Sequence, residues 1–449
     1  IAKNPTNNNR EGTIIFKSKD GRLSQTVKIF QGVKTPGNNE IWYSGSVNSN
    51  LLYNQNLQYR GFGAYIISQE YDEESKINIL KFDRDITSIK DSAFSYNYSL
   101  TSINLPATVV SIDEFAFTNC EKLTTVQIHD GIETIKDSAF AHCRSLQNIS
   151  LPEGLISIGK SAFYECHNLV SIILPESLEM VDDEAFGRCT SLKTINIPSG
   201  IISLSTSAFE NCKSLESFSG KYVLEDGVSV VINNQLVAVA PSQLSNYTVP
   251  SEVISIGNRV FFEYLDLESV VISNNVVNIG SYAFRGCRNL LNVSIGSSVA
   301  LLGDGVFSGC ENLTTIELPN SVVELGEQAF YECKNLQTIK LSNNLTTIGE
   351  FAFAGCEVLT NIELSNSVTQ VGEGAFKDCE GMLSVKIGNN VTSLKDNLFY
   401  GCANLSDVVI GDSVTNIGEY TFGYCSSLKN VNIPKSVKKI GNYAFAACI

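Results

Sequence analysis

The sequence predicts an α/β repeat solenoid. In this fold class, short coils form a right-handed, curved stack with a parallel β-sheet on the concave side and short helical or 3₁₀ turns opposite. The first observation is a Phe that recurs every 23 residues, from Phe94 to Phe209 and again from Phe261 to Phe445. The second is that apolar residues follow each Phe at fixed offsets. A unit this short cannot bury its apolar edge alone, so the units must stack on one another.

One unit defines the offsets, with the Phe counted as zero. It contains Phe140, Cys143 at +3, Leu146 at +6, Ile149 at +9, Leu151 at +11, Leu155 at +15, Ile158 at +18 and Ala162 at +22. A later unit fills the first core slots with Phe330, Cys333 and Leu336. The alternation at +9 and +11 has the period of a strand with its apolar side inward. Pro at +12, as at Pro152, cannot donate to a ladder and should end that strand.

The rest of the unit predicts turns. Gly is common at +19, for example Gly159, Gly280 and Gly441, and indicates a turn with positive φ. The stretch from +22 to +6 of the next unit should pack Phe, Cys and Leu inward as a short helical or 3₁₀ turn.

All thirteen cysteines occupy the +3 slot, five from Cys120 to Cys212 and eight from Cys287 to Cys448. Free Cys behaves as a small buried hydrophobe, and the paired spacing of a zinc site occurs nowhere. The sequence therefore predicts buried, reduced thiols. A disulfide ladder between neighbouring slots is the alternative, although the odd count would leave one thiol over.

The motif L-x-x-[IV]-x-[IL], as in Leu123, Val126 and Ile128, resembles a leucine-rich repeat. The fuller pattern I-G-x-x-A-F-x-x-C-x-x-L-x-x-I-x-[IL]-P resembles the BspA-like bacterial class of that family and covers residues 86–449. The resemblance implies a non-enzymatic, cell-surface solenoid in a family implicated in adhesion to host or matrix components.

Two segments precede the solenoid. In residues 1–33, Thr13 to Lys17 and Ser24 to Phe30 predict a β-hairpin joined around Asp20-Gly21. Together with Asn4-Pro5-Thr6, this segment resembles the closing strands of a BACON domain, a β-sandwich of bacterial surface carbohydrate systems. Residues 34–85 predict an N-terminal cap that covers the apolar end of the stack. Its Trp42 and Tyr43 either pack in the cap or stack on a ligand.

One insertion interrupts the repeat at 217–246. Two strand-like runs flank Asn233-Asn234, which tolerate left-handed geometry, so an inserted β-hairpin unit is predicted. It is either an extra β unit of the sheet or a ligand-contacting island.

Charge and motifs exclude several classes of function. The chain has 32 Lys and Arg against 47 Asp and Glu, a net charge of −15, so nucleic acid is not an expected partner. No apolar run is long enough to insert into a membrane, and no leader is recognisable at Ile1. No catalytic motif or cofactor motif occurs, and an enzyme is not expected. Two histidines on adjacent coils, His142 and His167, are either solvated or a metal pair.

The outward strand positions are the candidate ligand-binding residues. At +10 of four consecutive units the charge alternates, which predicts a ladder along the face that either supports register or binds a ligand. These residues are Glu317, Lys340, Glu363 and Lys386. Lys193, Asn196 and Glu268, beside the insertion, complete the candidate set.

These observations predict a secreted or cell-surface protein that binds an extracellular protein or a polysaccharide through its solenoid face, without a cofactor. The alternative is a structural spacer that displays another domain and has no ligand of its own. The apolar end near Cys448 invites end-to-end self-association.

Overall fold

The computed structural model describes residues 10–17, 24–31, 35–46 and 61–448. The chain forms two compact units: Ile1–Val230 with Ala240–Ser242, and Val231–Val239 with Gln243–Ile449. They are called unit 1 and unit 2. Within unit 1, β1 (Arg10–Lys17) and β2 (Ser24–Gln31) form an antiparallel pair. The predicted Asp20-Gly21 turn and Asn4-Pro5-Thr6 lie outside the described residues.

The segment before the first coil is an antiparallel sheet of β3 (Glu40–Ser44), β4 (Ile66–Asp72) and β5 (Ile77–Phe82). Strand β3 also pairs antiparallel with residues 102–104 of the first coil, Tyr43 opposite Ile103, so it covers the edge of the first coil's strand. The Tyr43 ring is buried and its hydroxyl accepts a hydrogen bond from the Gln69 Nε2. Trp42 is half-buried, and its Nε1 donates to a Glu40 carboxylate oxygen at 3.0 Å.

In each unit, the coils form a parallel β-solenoid. Each regular coil contributes two short strands, strand a at +8 to +10 and strand b at +17 and +18. Strands a are β7 (Ser102–Asn104), β9 (Thr125–Gln127), β11 (Asn148–Ile149), β13 (Ser171–Ile172), β15 (Thr194–Ile197), β17 (Ser217–Gly220), β20 (Asn246–Thr248), β22 (Ser269–Val271), β24 (Asn292–Ser294), β26 (Thr315–Glu317), β28 (Thr338–Lys340), β30 (Asn361–Glu363), β32 (Ser384–Lys386) and β34 (Asp407–Val409).

Strands b are β6 (Ser88–Ile89), β8 (Ser111–Ile112), β10 (Thr134–Ile135), β12 (Ser157–Ile158), β14 (Met180–Val181), β16 (Ser203–Leu204), β21 (Ser255–Ile256), β23 (Asn278–Ile279), β25 (Leu301–Leu302), β27 (Glu324–Leu325), β29 (Thr347–Ile348), β31 (Gln370–Val371), β33 (Ser393–Leu394), β35 (Asn416–Ile417) and β36 (Lys439–Ile440). In unit 1, strands b form one continuous six-stranded parallel sheet. The alternation at +9 and +11 predicted strand a alone. Strand b consists of only two residues, an outward one at +17 and a buried aliphatic one at +18. The aliphatic residue at +18 was its signal in the sequence.

The core of each coil is a ladder of Phe rings. Neighbouring rings are stacked, with centroids 5.1–5.8 Å apart in unit 1 and 4.7–5.5 Å apart in unit 2. Phe62 of the cap packs edge-on against Phe94 at one end of the first ladder, and Phe218 against Phe209 at its other end. Phe140, Cys143, Leu146 and Ile149 are at most 1% exposed, and Phe330, Cys333 and Leu336 are fully buried.

The segment around each Phe is not helical, which corrects the predicted helical or 3₁₀ turns. Residues 86–448 contain overlapping turns in its place. The N–H groups of Ser138, Phe140 and His142 donate to carbonyls of the next coil at 2.7–2.8 Å, whereas those of Ala139 and Ala141 donate three residues back. Ser138 and His142 have φ of 53° and 60°, and this alternation of handedness rules out a helix. The turn segment is therefore a third hydrogen-bonded ladder between coils.

The glycines at +19 also differ from the prediction, because Gly159, Gly280 and Gly441 do not have positive φ. A Cβ on Gly159 would lie 2.8 Å from the backbone nitrogen of Asp137 in the preceding coil. Glycine is required there because two backbones approach closely, not because a turn is left-handed.

The strands of the insertion pair with strands of the neighbouring coils. Strand β18 (Ser229–Ile232) and strand β19 (Gln235–Val239) flank Asn233 and Asn234, both with positive φ, as predicted for the hairpin. Strand β19 pairs in parallel with β21, and β20 with β22. Leu236 to Ala240 are buried. The insertion thus begins with an a strand, β17, which pairs in parallel with β15, and it supplies a b strand, β19, which favours the interpretation as an extra β unit.

Candidate functional site

The candidate site is the strand face, defined as the +8 and +10 side chains of strands a. The +9 side chains of these strands are mostly buried, so the alternating neighbours point outward. At +8, short polar groups bond to each other between coils: the Ser384 hydroxyl donates to the Asn361 amide oxygen at 2.7 Å. Much of the polarity of this face therefore serves the contact between coils.

The predicted charge ladder forms in two halves. Lys340 pairs with Glu317, and Lys386 pairs with Glu363. All four side chains are more than 60% exposed, so each pair stabilises the fold by at most about 1 kcal/mol. In the described part of the chain, no ion pair joins Lys340 to Glu363. The ladder is interrupted at its middle step.

The strand face opens at this interruption. Strands β26 and β28 form one sheet, and β30, β32 and β34 form another, so β28 does not pair with β30. The Leu318 N–H donates to the Lys340 carbonyl at 2.9 Å, but the equivalent bond from the Leu341 N–H to the Glu363 carbonyl is absent among these described residues. A similar break separates β24 from β26.

A pocket of about 400 Å³ occupies the gap between β28 and β30. Lys340 and Glu363 both line it, with Ile339, Leu341, Ser342 and Ser365. Ile339 and Leu341 are only half-buried, although their +9 and +11 slots are buried in most coils. The pocket thus combines apolar surface, hydroxyl groups and one charge of each sign, the mixture that orients small polar ligands. Lys340 and Glu363 were predicted from the sequence as ligand-binding candidates, whereas the gap between their strands was not.

The other candidates are not gathered at this pocket. In unit 1, Lys193 pairs with Glu216 at 3.4 Å. The Asn196 amide accepts from the Leu174 N–H at 2.8 Å and donates to the Leu174 carbonyl at 2.7 Å, so it is engaged in the fold. In unit 2, Glu268 is exposed before β22.

The predicted pair, His142 and His167, lies in the turn segments and not on the strand face. His142 contacts Glu165 through its Nδ1 at 3.1 Å, and Arg144 bonds to the same carboxylate at 3.0 Å. Burial alone would raise the pKa of Glu165, but the hydrogen bonds from Arg144 and His142 outweigh it and lower that pKa. Among the described residues, no group of three His, Cys, Asp or Glu is placed to hold a metal ion.

The thirteen thiols are free, twelve of them buried and Cys448 half-buried. Each Sγ–H donates to the carbonyl of the Phe 26 residues earlier, at 3.0–3.3 Å. Burial raises the pKa of Cys120 and Cys287 to about 12, so neither is a thiolate at neutral pH. No nucleophile is available in this slot, and the thiols serve the stack.

The model of the BspA type leucine rich repeat region matches residues 87–216, 237–360 and 323–449, in six copies. These matches cover most of the chain, and the chain belongs to this leucine-rich-repeat family. A comparison with curated proteins found no match. Within the described residues, no helix has the length and apolarity needed to cross a membrane.

Several solved structures are similar. A leucine rich cell surface protein from Faecalibacterium prausnitzii is 24% identical over 78% of this chain and 81% of its own, with a TM-score of 0.52. A leucine-rich repeat protein from Bacteroides ovatus is 26% identical over 86% of this chain and 91% of its own, with a TM-score of 0.41. The pneumococcal vaccine antigen PcpA is 22% identical over 80% of each chain, with a TM-score of 0.46. The first of these likenesses supports the fold.

Proposed function

We propose that this protein is a non-enzymatic, cell-surface binding protein that attaches to an extracellular protein or polysaccharide through the strand face of unit 2. The observation that carries the proposal is the opening between β28 and β30, where two strands separate and leave Lys340 and Glu363 at one pocket. Membership of the BspA type family and the described surface role of the Faecalibacterium protein support the surface location.

The proposed contact combines a polar rim with an apolar floor. Lys340 and Glu363 each have an ion-pair partner on the side away from the pocket. A ligand with hydroxyl or amide groups can therefore bond to both without leaving a charge unpaired. Half-buried Ile339 and Leu341 offer apolar surface beneath it.

The test compares the wild type with Lys340→Ala/Glu363→Ala on a panel of extracellular-matrix proteins and glycans. We expect at least about tenfold weaker binding, because both charged contacts are removed. Arg288→Ala/Glu311→Ala is the matched control, since it removes an exposed ion pair of unit 2 outside the pocket. Urea unfolding checks that all three proteins fold equally.

A spacer without a ligand is the second candidate. It is favoured because outward polar groups, in the two ion pairs and at Asn196, already bond to other groups of the protein. Binding of the wild type to no member of the panel would support the spacer. Undiminished binding of the double variant would place the contact elsewhere on the solenoid.

A further inference from the structure

Trp42 is the only tryptophan of the chain, and it lies on the outward side of a sheet that joins the cap to the first coils of unit 1. Burial alternates along its strand, β3, so Ile41 and Tyr43 point into the core and Trp42 points away from it. No other aromatic residue stands on the outward side of this six-stranded sheet. The cap core is thus closed by other side chains, and the Trp42 ring stays half-buried at the surface.

A cleft of about 490 Å³ adjoins the Trp42 ring. Trp42 and Ile79, which lies directly opposite on β5, supply its apolar surface. Thr35, Glu40 and Asp72 supply its oxygen atoms, and none of the five described residues that line the cleft is a cation. An apolar, aromatic surface with a few polar groups at its edge is typical of sites for small polar ligands.

Both carboxylates of the cleft are held by groups of the fold. The Glu40 Oε2 accepts the Trp42 Nε1–H at 3.0 Å and the Gly37 N–H at 3.3 Å. The Lys81 ammonium lies 3.9 Å from the other oxygen of Glu40. The Asp72 Oδ1 accepts two N–H groups of the turn that follows β4, at 2.9 and 3.2 Å. Carboxylate oxygens have several lone pairs, so these fixed groups can accept further bonds from ligand hydroxyls, whereas an anionic ligand is repelled.

On the other side of Trp42, the same face continues as a row of uncharged amides. Asn104 of β7 lies directly opposite Trp42, and Gln127 of β9 lies beside Asn104. The His129 Nε2 is 3.2 Å from the Asn104 Oδ1, which holds that amide in place. Adjacent strands are about 4.8 Å apart, so the row from Ile79 to Gln127 spans roughly 14 Å. Amides both donate and accept hydrogen bonds, as hydroxyl groups do, so the row suits a ligand with hydroxyl groups along its length.

We propose that Trp42, the cleft and the amide row form a binding site for an uncharged, extended oligosaccharide. The C–H groups on one face of a pyranose ring make an apolar surface, which stacks on the Trp42 ring. Hydroxyl groups of that sugar donate to Glu40 and Asp72, and the following sugars lie along Asn104 and Gln127. This site belongs to unit 1, and its proposal does not depend on the pocket of unit 2.

The fluorescence of Trp42 reports on this site alone, because the chain contains no other tryptophan. The probes are cellohexaose and β-1,4-mannohexaose, since both are uncharged, extended chains. We expect at least one of them to protect Trp42 from acrylamide quenching in a saturable manner, because the stacked sugar covers the ring. Hexagalacturonate is the charge control, and it should bind at least about tenfold more weakly because it meets the carboxylates. Absence of protection by both neutral probes, or equal binding of hexagalacturonate, would overturn the proposal.

Calorimetric titration with the better neutral probe compares variants of the full chain. We expect Trp42→Ala to bind at least about tenfold more weakly, and Gln127→Ala about threefold to tenfold more weakly because one hydrogen bond is lost. Gln127 is exposed on a coil strand, so its variant keeps the cap intact. Asn292→Ala is the matched control, because it removes an exposed amide from a strand a of unit 2, and it should bind like the wild type. Circular dichroism checks that all variants fold.

Three results would contradict the site. The first is undiminished binding by both Trp42→Ala and Gln127→Ala. The second is loss of the sugar only in Lys340→Ala/Glu363→Ala, which would assign the saccharide to the pocket of unit 2 and leave the proposed function standing. The third is stronger protection of Trp42 by oligo-lysine than by either neutral probe, which would assign the carboxylates to a cationic ligand.

Discussion

At the scale of single residues, the cysteine slot shows how one side chain serves two needs of the stack. The Phe330 carbonyl accepts the Cys333 N–H at 3.2 Å within its coil and the Cys356 Sγ–H at 3.3 Å from a neighbouring coil. A carbonyl has two lone pairs, and the thiol satisfies the second one inside an apolar core. Tyr264, which stands in the same slot, replaces this bond with one from its hydroxyl to the Val239 carbonyl. Size and apolarity alone therefore do not explain the slot.

The buried thiols predict loss of stability at alkaline pH. Burial raises the pKa of Cys120, Cys212, Cys287 and Cys425 from about 9 to about 12. The folded state holds these protons more tightly than the unfolded chain does. The free energy of unfolding should therefore be intact below pH 9 and fall as the pH rises towards 12, by up to about 1.4 kcal/mol per pH unit for each thiol.

Urea unfolding between pH 8 and pH 11 measures this slope. Replacing both Cys120 and Cys287 by Ala should make the decrease in unfolding free energy with pH less steep, by the contribution of two thiols. Each protein is compared with its own stability at pH 8. Labelling of most of the thirteen thiols by a thiol reagent at neutral pH, without denaturant, would contradict the buried ladder.

At the scale of the element, the turn segment is where sequence and structure differ most. Phe, Cys and Leu at 0, +3 and +6 have spacings that suit a helical face, and this pattern predicted a short helical or 3₁₀ turn. The backbone instead alternates in handedness, and its N–H groups serve the next coil. A partial signal lay in the residues beside the pattern, because some coils place Asn or Gly there, such as Asn119, Asn211 and Gly305, which tolerate left-handed geometry.

A glycine substitution tests how closely the coils approach. A Cβ on Gly280 would lie 2.7 Å from the Asn258 backbone nitrogen and 2.5 Å from its Oδ1, which accepts the Ser281 N–H. We expect Gly280→Ala to lower the free energy of unfolding by about 1–3 kcal/mol, because the neighbouring backbone must move. Gly37→Ala is the control, since the nearest atoms are side-chain atoms at 3.6 Å, and it should change stability by less than about 0.5 kcal/mol. Equal changes in unfolding free energy for the two variants would show that the glycine at +19 does not determine the distance between coils.

The repeat class and the buried slots were predictable because 23-residue self-similarity constrains every coil at once. The apolar offsets of the unit at Phe140 match the buried residues, and the Asn233-Asn234 turn follows from residues that tolerate positive φ. The opening between β28 and β30 was not predictable. Thr338 to Lys340 and Asn361 to Glu363 match the composition of strands that do pair. A missing hydrogen bond between backbone groups does not change the pattern of side chains, so the sequence does not reveal it.

At the scale of the whole molecule, a regular coil contacts its neighbours through the turn ladder, the Phe ring stack and the two strand ladders, except where the ladder of strands a is interrupted, as between β28 and β30. Regular coils differ mainly in their outward residues. In such a chain, stability is close to a sum of coil terms and interface terms. The regular coil is then the unit that can be removed, provided that the offsets of the remaining coils are kept.

Deletion of one full period tests this additivity in unit 1. Removing Ala141–Phe163 joins Phe140 to Tyr164, so that Cys166, Leu169 and Ile172 take offsets +3, +6 and +9. We expect a folded protein with a circular dichroism spectrum of the same shape and a slightly lower unfolding midpoint, because one interface between coils is lost.

The control removes Ala141–Lys160, three residues fewer, and places Phe163 in the +3 slot, where a ring must replace a thiol. This shift overpacks the core and breaks the Phe ladder, so the control should lose cooperative unfolding of the coils beside the junction. Hydrogen exchange along the chain distinguishes the two proteins, since protection should persist across the junction only in the 23-residue deletion. Equal protection in both would mean that the coil offsets do not determine the packing.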